Sequence, residues 1–116
     1  MSESQTAMVV LVNRNGMGEA EPALQHKLLQ TYLKLLHESQ MRPAVIAFYA
    51  EGVKLVTAGS PVLEPLRALE AAGVRLIVCS TCLNYYSLAD QVQVGIVGGM
   101  PDIIEAQWRA DKVITL

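Results

Sequence analysis

Two cysteines have the clearest capacity for chemistry in this sequence. Cys79 and Cys82 are three residues apart, and the small hydroxyl residues Ser80 and Thr81 stand between them, where they could donate hydrogen bonds to a sulfur. In a reducing compartment such a pair is more often catalytic, redox-active or metal-binding than a structural disulfide. An apolar run precedes the pair and a helix follows, so we expect backbone N–H groups and the helix dipole to favour a thiolate. The pattern predicts reactive cysteines; the alternative is two small buried hydrophobic side chains.

A zinc site is not expected at this pair. Two sulfurs need further ligands, and His26 and His37 are the only histidines. Both lie on one predicted helix, where the rise between them is about 16 Å, too far for one ion. We expect both to be solvated, opposite the apolar stripe that faces the core. The residues of that expected stripe are Leu24, Leu28, Tyr32 and Leu35. Neither a metal nor an organic cofactor is expected.

The composition predicts a folded chain that associates with copies of itself. The 116 residues fit one domain, and 52% of them are hydrophobic while 17% are charged. This apolar content slightly exceeds what a small monomer needs, which favours a homo-oligomer. The net charge of -2 provides no positive field for nucleic acid or a membrane surface. No apolar run has the length of a membrane span, so we expect a soluble cytoplasmic protein.

Short apolar runs alternate with segments of helical periodicity along the chain. The expected strands are residues 8–12, 44–49, 74–78, 92–97 and 111–116. The expected helices are residues 19–40, 60–73, 83–89 and a last one that opens at Pro101, in which Ile104 and Trp108 face inward. This alternation predicts an α/β three-layer sandwich with a mostly parallel five-stranded sheet, flavodoxin-like in layout. Residues 1–7 are expected to be a disordered tail and residues 8–116 a single domain.

Ligands of such sheets bind at the carboxyl ends of the strands. Besides the cysteines, this edge is expected to carry a substrate-binding set. Its members are Asn13, Arg14, Ser80, Thr81, Gly98 and Gly99. Arg14 and Lys54 are the cations best placed to steady a thiolate there. The loop after the first strand lacks the third glycine of a dinucleotide fingerprint and the Lys-Ser/Thr of a phosphate loop, so nucleotide binding is not expected. No histidine lies near the strand ends to act as a base, which disfavours hydrolysis.

Four segments in order carry a resemblance to a known family. They are residues 48–55 (FYAEGVKL), 59–64 (GSPVLE), 79–86 (CSTCLNYY) and 111–114 (DKVI). Together they resemble the DsrE-like sulfur-relay family, most closely the carboxyl-terminal domain of YedF-type proteins. The resemblance implies an α/β sandwich, a homo-oligomer (dimer, trimer or hexamer) and transport of sulfur as a cysteine persulfide. It maps the family's cysteine onto Cys79 and a second cysteine onto Cys82, while Ser80 replaces the glycine of a Cys-Gly-Thr-Cys sequence.

The leading hypothesis is a sulfurtransferase or sulfur-relay protein. The Cys79 thiolate would accept sulfane sulfur and pass it to a partner thiol, with Cys82 assisting or resolving. YedF-type proteins usually carry a TusA-like domain and this sequence has none, so a separate TusA-like carrier is the expected partner. Two alternatives remain open. One is a Cys-x-x-Cys thiol–disulfide redox protein, and the other is a non-catalytic oligomeric binding module with structural cysteines.

Overall fold

The computed structural model describes residues 7–116. The strands are β1 (Met8–Val12), β2 (Val45–Phe48), β3 (Arg75–Cys79), β4 (Ile96–Gly98) and β5 (Lys112–Thr115). The helices are α1 (Pro22–Glu38), α2 (Leu63–Ala71), α3 (Ser80–Tyr85) and α4 (Met100–Arg109), with 3-10 helices at Ala50–Val56 and Ala89–Gln91. Of the tail expected at residues 1–7, residues 1–6 lie outside the described residues. The Ala7 carbonyl accepts a hydrogen bond from the Asp111 N–H.

All five strands are parallel, in the order β4-β3-β2-β1-β5. Because β1 to β4 step in one direction and β5 returns to the far side of β1, right-handed crossovers place α1, α2 and α3 on one face and α4 on the other. The predicted α/β sandwich is confirmed, although the strand order differs from the 2-1-3-4-5 order of flavodoxin. Val12, Phe48 and Val78 are in register, so β1 and β2 end at the same level and β3 continues one residue further, to Cys79.

The face that α1 buries differs from the predicted one. Leu29, Leu33 and Leu36 are buried, whereas Leu24 and Leu28 of the expected stripe are exposed. The helix has leucines at helical spacing on both sides, and the sheet and α2 take the side that the sequence analysis assigned to solvent. The two histidines share this inner side. The prediction that they are solvated is wrong, because both are half-buried.

The orientation of α4 also differs from the prediction. Ile103 and Ala106 are buried against the sheet, while Ile104 is 56% exposed and Trp108 is 88% exposed. Consecutive helical residues are about 100° apart, so a helix that buries Ile103 turns Ile104 outward, and Trp108 follows one turn later. The helix therefore presents a second apolar surface to its surroundings.

The helix after the cysteine motif begins earlier than predicted. It starts at Ser80, directly after β3, and ends before Ser87, which has a φ of +57°. Leu83 is fully buried and anchors the short helix to the core. Because no loop separates β3 from α3, Cys79 and Cys82 lie on either side of a direct strand-to-helix turn.

Candidate functional site

The two cysteine sulfurs lie in contact at the carboxyl end of β3. Cys79 is the last residue of the strand, and Cys82 lies in the first turn of α3. Their Sγ atoms are 3.2 Å apart, and both cysteines are free. Cys79 is only 1% exposed, whereas Cys82 is half-buried. The turn therefore makes one thiol accessible and keeps the second within contact distance in the interior.

A backbone N–H from the end of β2 contacts the accessible sulfur. Ala50 donates this hydrogen bond to Cys82 Sγ, at 3.1 Å. Its φ of +51° is a left-handed conformation that costs a non-glycine residue about 1–2 kcal/mol. Two residues later, a Cβ at Gly52 would lie 2.1 Å from the Val12 carbonyl oxygen, so only glycine fits there. This close packing on β1 holds the start of the 3-10 helix, and with it the Ala50 N–H, beside the sulfur.

The surroundings of Cys82 favour its thiol form. Burial raises the pKa of Cys82, and the hydrogen bond and charge interaction with Cys79 raise it further, while the Ala50 N–H lowers it. The prediction that the helix start favours a thiolate is therefore wrong for Cys82. The physical reason is that α3 has only six residues and a desolvated sulfur loses more hydration than one N–H restores. Alkaline conditions or a further hydrogen-bond donor would shift Cys82 towards the thiolate.

A cation and two tyrosines lie next to the cysteine turn. The Lys54 ammonium is 4.6 Å from the centre of the Tyr86 ring and 4.0 Å from the Glu51 carboxylate. Tyr86 also meets Tyr85 edge to face, with ring centres 5.2 Å apart. The pKa of Tyr86 is raised by desolvation, and by the charges of Glu51, Tyr85 and Cys82. Within residues 7–116, the partners of the Lys54 ammonium are therefore the Tyr86 ring and the Glu51 carboxylate, and not a cysteine sulfur.

A groove of about 440 Å³ begins at this Lys54 and Tyr86 pair. His26 and Asn15 also line it. The His26 ring belongs to the inner side of α1, and its Nε2 atom is buried without a hydrogen-bond partner among the described residues. The groove gives an approaching partner room one helical turn from Cys82.

Asn13, which follows β1, contacts the residue that follows β2. The Asn13 amide donates to the Tyr49 hydroxyl at 3.4 Å, and its Oδ1 is buried without a partner in the described part of the chain. No ion pair of Arg14 is found among residues 7–116. Packing explains the glycine at position 16 of this loop, because a Cβ at Gly16 would lie 2.4 Å from the Gln25 Cβ. Gly16 therefore serves the packing of the loop on α1, whereas Gly18, with a φ of +81° and no heavy atom within 4 Å of its Cβ position, serves the backbone conformation of the loop.

The predicted glycines at the end of β4, Gly98 and Gly99, lie beside the site. Gly98 is the register partner of Cys79, which places the two backbones side by side. A Cβ at Gly98 would be 2.7 Å from an Asp102 carboxylate oxygen, and the same oxygen accepts the Gly99 N–H at 2.9 Å. Both glycines thus serve the start of α4. Their role in binding a substrate stays a prediction.

The predicted hydroxyl donors make no hydrogen bond to the sulfurs among the described residues. Ser80 is half-buried and Thr81 is exposed, and within residues 7–116 neither donates a hydrogen bond to Cys79 or Cys82. Ala50 supplies the hydrogen bond instead, and this donor was not predicted from the sequence. An alanine carries no sign of a left-handed conformation, and the only available signal was Gly52.

The greater part of the chain has the sequence pattern of a known protein family. A model of the DsrE/DsrF-like family matches residues 31–116, a span that includes both cysteines. The chain belongs to the DsrE/DsrF-like family. This family is associated with sulfur relay. The closer resemblance of this DsrE-like chain to YedF-type proteins stays a prediction.

Solved structures share the fold of this DsrE-like chain. The crystal structure of the YchN protein from E. coli matches with a TM-score of 0.73 at 18% identity, over 97% of this chain and 99% of that one. Protein MTH1491 of unknown function from Methanobacterium thermoautotrophicum matches with a TM-score of 0.71 at 18% identity, over 97% of this chain and 100% of that one. Protein BT1422 of unknown function from Bacteroides thetaiotaomicron has a TM-score of 0.69 at 14% identity, with 95% of each chain covered. No curated protein matches the chain.

Residues 7–116 contain neither a metal-binding cluster nor a helix suited to cross a membrane. No group of three His, Cys, Asp or Glu side chains in this range could hold a metal ion. None of the helices described has both the length and the apolar character needed to cross a membrane.

Proposed function

We propose that this DsrE-like protein carries sulfane sulfur as a persulfide on Cys82 and passes it to the thiol of a partner protein. The observation that carries the proposal is the half-buried Cys82 sulfur at the carboxyl ends of the strands. This sulfur accepts a hydrogen bond from the Ala50 N–H at 3.1 Å. In the exchange, a donor R–S–SH and the Cys82 thiol become R–SH and a Cys82 persulfide, with Cys82 attacking as the thiolate. The same exchange then passes the sulfur to an acceptor thiol.

The order of the two cysteines differs from the one expected from the sequence. The leading hypothesis had Cys79 as the acceptor, but a donor protein must bring its own sulfur into contact with the attacking sulfur. Cys79 is only 1% exposed, whereas Cys82 is half-buried and has more of its surface open to solvent. This difference in exposure favours Cys82 as the sulfur that attacks the donor. A TusA-like carrier is the proposed donor or acceptor, and a reducing cytoplasm is the proposed location because the chemistry requires free thiols.

The test is the intact mass of the protein after incubation with a persulfide-loaded cysteine desulfurase. We expect a gain of one sulfur that a reductant removes, retained in Cys79→Ser and absent in Cys82→Ser. The Ser80→Ala variant is the matched control, because it changes the same turn without removing a sulfur. No gain in any form, with a donor that is active on a known acceptor, would contradict the proposal.

The 3.2 Å separation of the sulfurs supports thiol–disulfide exchange as a second candidate function. A redox protein of this kind would cycle between the Cys79–Cys82 disulfide and the dithiol. Catalysed reduction of insulin disulfides, together with no uptake of sulfur from the desulfurase, would favour this candidate over sulfur relay.

We also propose that a second copy of the chain covers the outer face of α4. Met100, Ile104 and Trp108 form a stripe there, and they are 51%, 56% and 88% exposed. Glu105 and Arg109 flank it along the same helix. Two copies of α4 packed antiparallel about a two-fold axis would place acid opposite base beside a shared apolar seam. This charge complementarity favours a second copy over an unrelated partner.

A further inference from the structure

The sulfur relay proposed above leaves the buried Cys79 without a task. We infer that Cys79 discharges the Cys82 persulfide as hydrogen sulfide, by forming the Cys79–Cys82 disulfide. The inference rests on the proposed function. It assigns the protein a further activity, the release of sulfide, whenever no acceptor thiol takes the sulfur first.

Burial restricts the reaction partners of Cys79 to one sulfur. Cys79 is 1% exposed, and its backbone is enclosed on one side by Gly98 of β4. On the other side, the preceding residue Val78 pairs with Phe48 of β2. No external donor or acceptor reaches a thiol in this position. The Cys82 sulfur, at 3.2 Å, is in contact with it.

The contact selects which sulfur of a persulfide Cys79 attacks. The Sγ of Cys82 becomes the inner sulfur when Cys82 carries a second one, and Cys79 contacts this Sγ from the interior. The outer sulfur then occupies the solvent side, opposite the attacking thiol. Thiol exchange proceeds by attack of a thiolate on a sulfur with departure of the sulfur bonded to it. Attack from the interior therefore expels the outer sulfur, whereas an acceptor protein from solvent attacks the outer sulfur itself.

The reaction balances without an outside oxidant. Cys82–S–SH and Cys79–SH become the Cys79–Cys82 disulfide and H2S. The S–S bond within the persulfide breaks, the S–S bond between the cysteines forms, and the proton of Cys79 leaves with the sulfide. The sulfane sulfur gains two electrons and the two cysteine sulfurs lose them.

The product is a protein that cannot accept sulfur again until it is reduced. Two equivalents of a small-molecule thiol, or one reduced dithiol protein, restore the two free cysteines. The Sγ atoms must close from 3.2 Å to about 2 Å to form the bond. Cys79 thus sets how long a persulfide survives on Cys82, and it couples sulfur carriage to the supply of thiol.

The experiment loads the full-length chain with inorganic polysulfide and removes the reagent by gel filtration without any thiol present. Samples are then alkylated at intervals for intact mass, and free sulfide is trapped and quantified. We expect the parent protein to lose its added sulfur, release one sulfide per chain and end two hydrogens lighter than the dithiol form. We expect Cys79→Ser and Cys79→Ala to keep the Cys82 persulfide at least tenfold longer and to release sulfide only when an external thiol is added.

The two proposals fail in different ways. If Cys79→Ala takes up sulfur and loses it as fast as the parent protein, the discharge by Cys79 is wrong while the carrier function stands. If neither the parent protein nor the Cys79 variants gain sulfur on Cys82, the carrier function itself is wrong and the discharge falls with it. The two substitutions at Cys79 guard against misfolding, because Ala leaves the buried position apolar and Ser keeps its size.

Discussion

The Ala50 N–H donates a hydrogen bond to Cys82 Sγ from a residue with a left-handed backbone. A strained alanine at this point gives the sulfur a donor that no side chain supplies. Outliers of this kind cluster at functional sites, where the surrounding structure holds them in place. Here the surrounding structure is the packing of Gly52 on the Val12 carbonyl. The site therefore depends on three strand ends at once: β1, β2 and β3.

Ala50→Gly should stabilise the protein. Glycine adopts a φ of +51° without the steric cost of a Cβ, and after allowance for its greater freedom in the unfolded chain we expect a gain of about 0.5–1 kcal/mol. Urea denaturation followed by circular dichroism measures the change. Gln40→Gly is the matched control, because Gln40 has a φ of +60° after α1, away from the cysteines. A loss of stability in Ala50→Gly alongside a gain in Gln40→Gly would contradict the strain assigned to Ala50.

Cys79→Ala should lower the pKa of Cys82. The substitution removes the hydrogen bond and the charge interaction with Cys79, which both raise that pKa, and it leaves the lowering effect of the Ala50 N–H. Cys82 is then a thiolate at lower pH and reacts faster near neutrality. The rate of alkylation by iodoacetamide as a function of pH measures the shift, with the midpoint of the variant below that of the parent protein.

Two results would contradict this prediction. One is a midpoint that rises in Cys79→Ala, and the other is a midpoint that does not move. Ser80→Ala serves as the control for a change in the same turn, since Ser80 makes no hydrogen bond to either sulfur within the described residues. Its alkylation profile should coincide with that of the parent protein.

The sequence predicted the layers of this fold, because apolar runs of strand length alternate with helical periodicity. β1 has the predicted bounds, residues 8–12. The sides of α1 and α4 were predicted wrongly for one shared reason. Each helix carries apolar residues at helical spacing on two sides, and periodicity alone does not tell which side a distant sheet will cover. Ile104 and Trp108 were predicted to face inward because they are one turn apart, yet Ile103 and Ala106 occupy the core.

The cysteine pair was predictable from the sequence, whereas its environment was not. Spacing and position after an apolar run identified Cys79 and Cys82 as candidates. Their unequal exposure depends on β3 extending one residue further than predicted and on α3 following at once. The Ala50 donor comes from a segment about thirty residues earlier in the chain, and only tertiary packing places it beside Cys82.

Trp108→Ser should weaken association between copies of the chain. Trp108 is the only tryptophan, so its fluorescence reports on its own surroundings. Trp108 is 88% exposed in the single chain, so we expect emission typical of a solvated indole on dilution. The emission should shift to the blue as the protein concentration rises. Sedimentation should show an oligomer for the parent protein and a smaller species for Trp108→Ser. Leu35→Ser, which removes an exposed leucine of α1, is the control and should keep the size of the parent. A parent protein that is monomeric at all concentrations would contradict the α4 interface.

Gly52→Ala should disturb the cysteine site through the backbone. A Cβ at this position would lie 2.1 Å from the Val12 carbonyl oxygen. The atoms that it would meet belong to the backbone of Val12 and Asn13, so no flexible side chain can move aside. We expect a loss of about 1–3 kcal/mol or more in the free energy of unfolding. The 3-10 helix should shift away from β1 and carry the Ala50 N–H away from Cys82, which raises the pKa of that thiol because the lowering contribution is lost.

Gly59→Ala separates this steric effect from a general cost of replacing glycine. Gly59 has a φ of +89° and no heavy atom within 4 Å of the Cβ position, so its substitution strains the backbone without a clash. We expect a stability loss of about 1 kcal/mol and an unchanged pH profile of Cys82 alkylation. Denaturation profiles of both variants measure the loss of stability, and their alkylation profiles show whether the pKa of Cys82 changes. If Gly52→Ala lowers stability as predicted but leaves the alkylation midpoint where it was, the packing of Gly52 on β1 does not control the Ala50 donor.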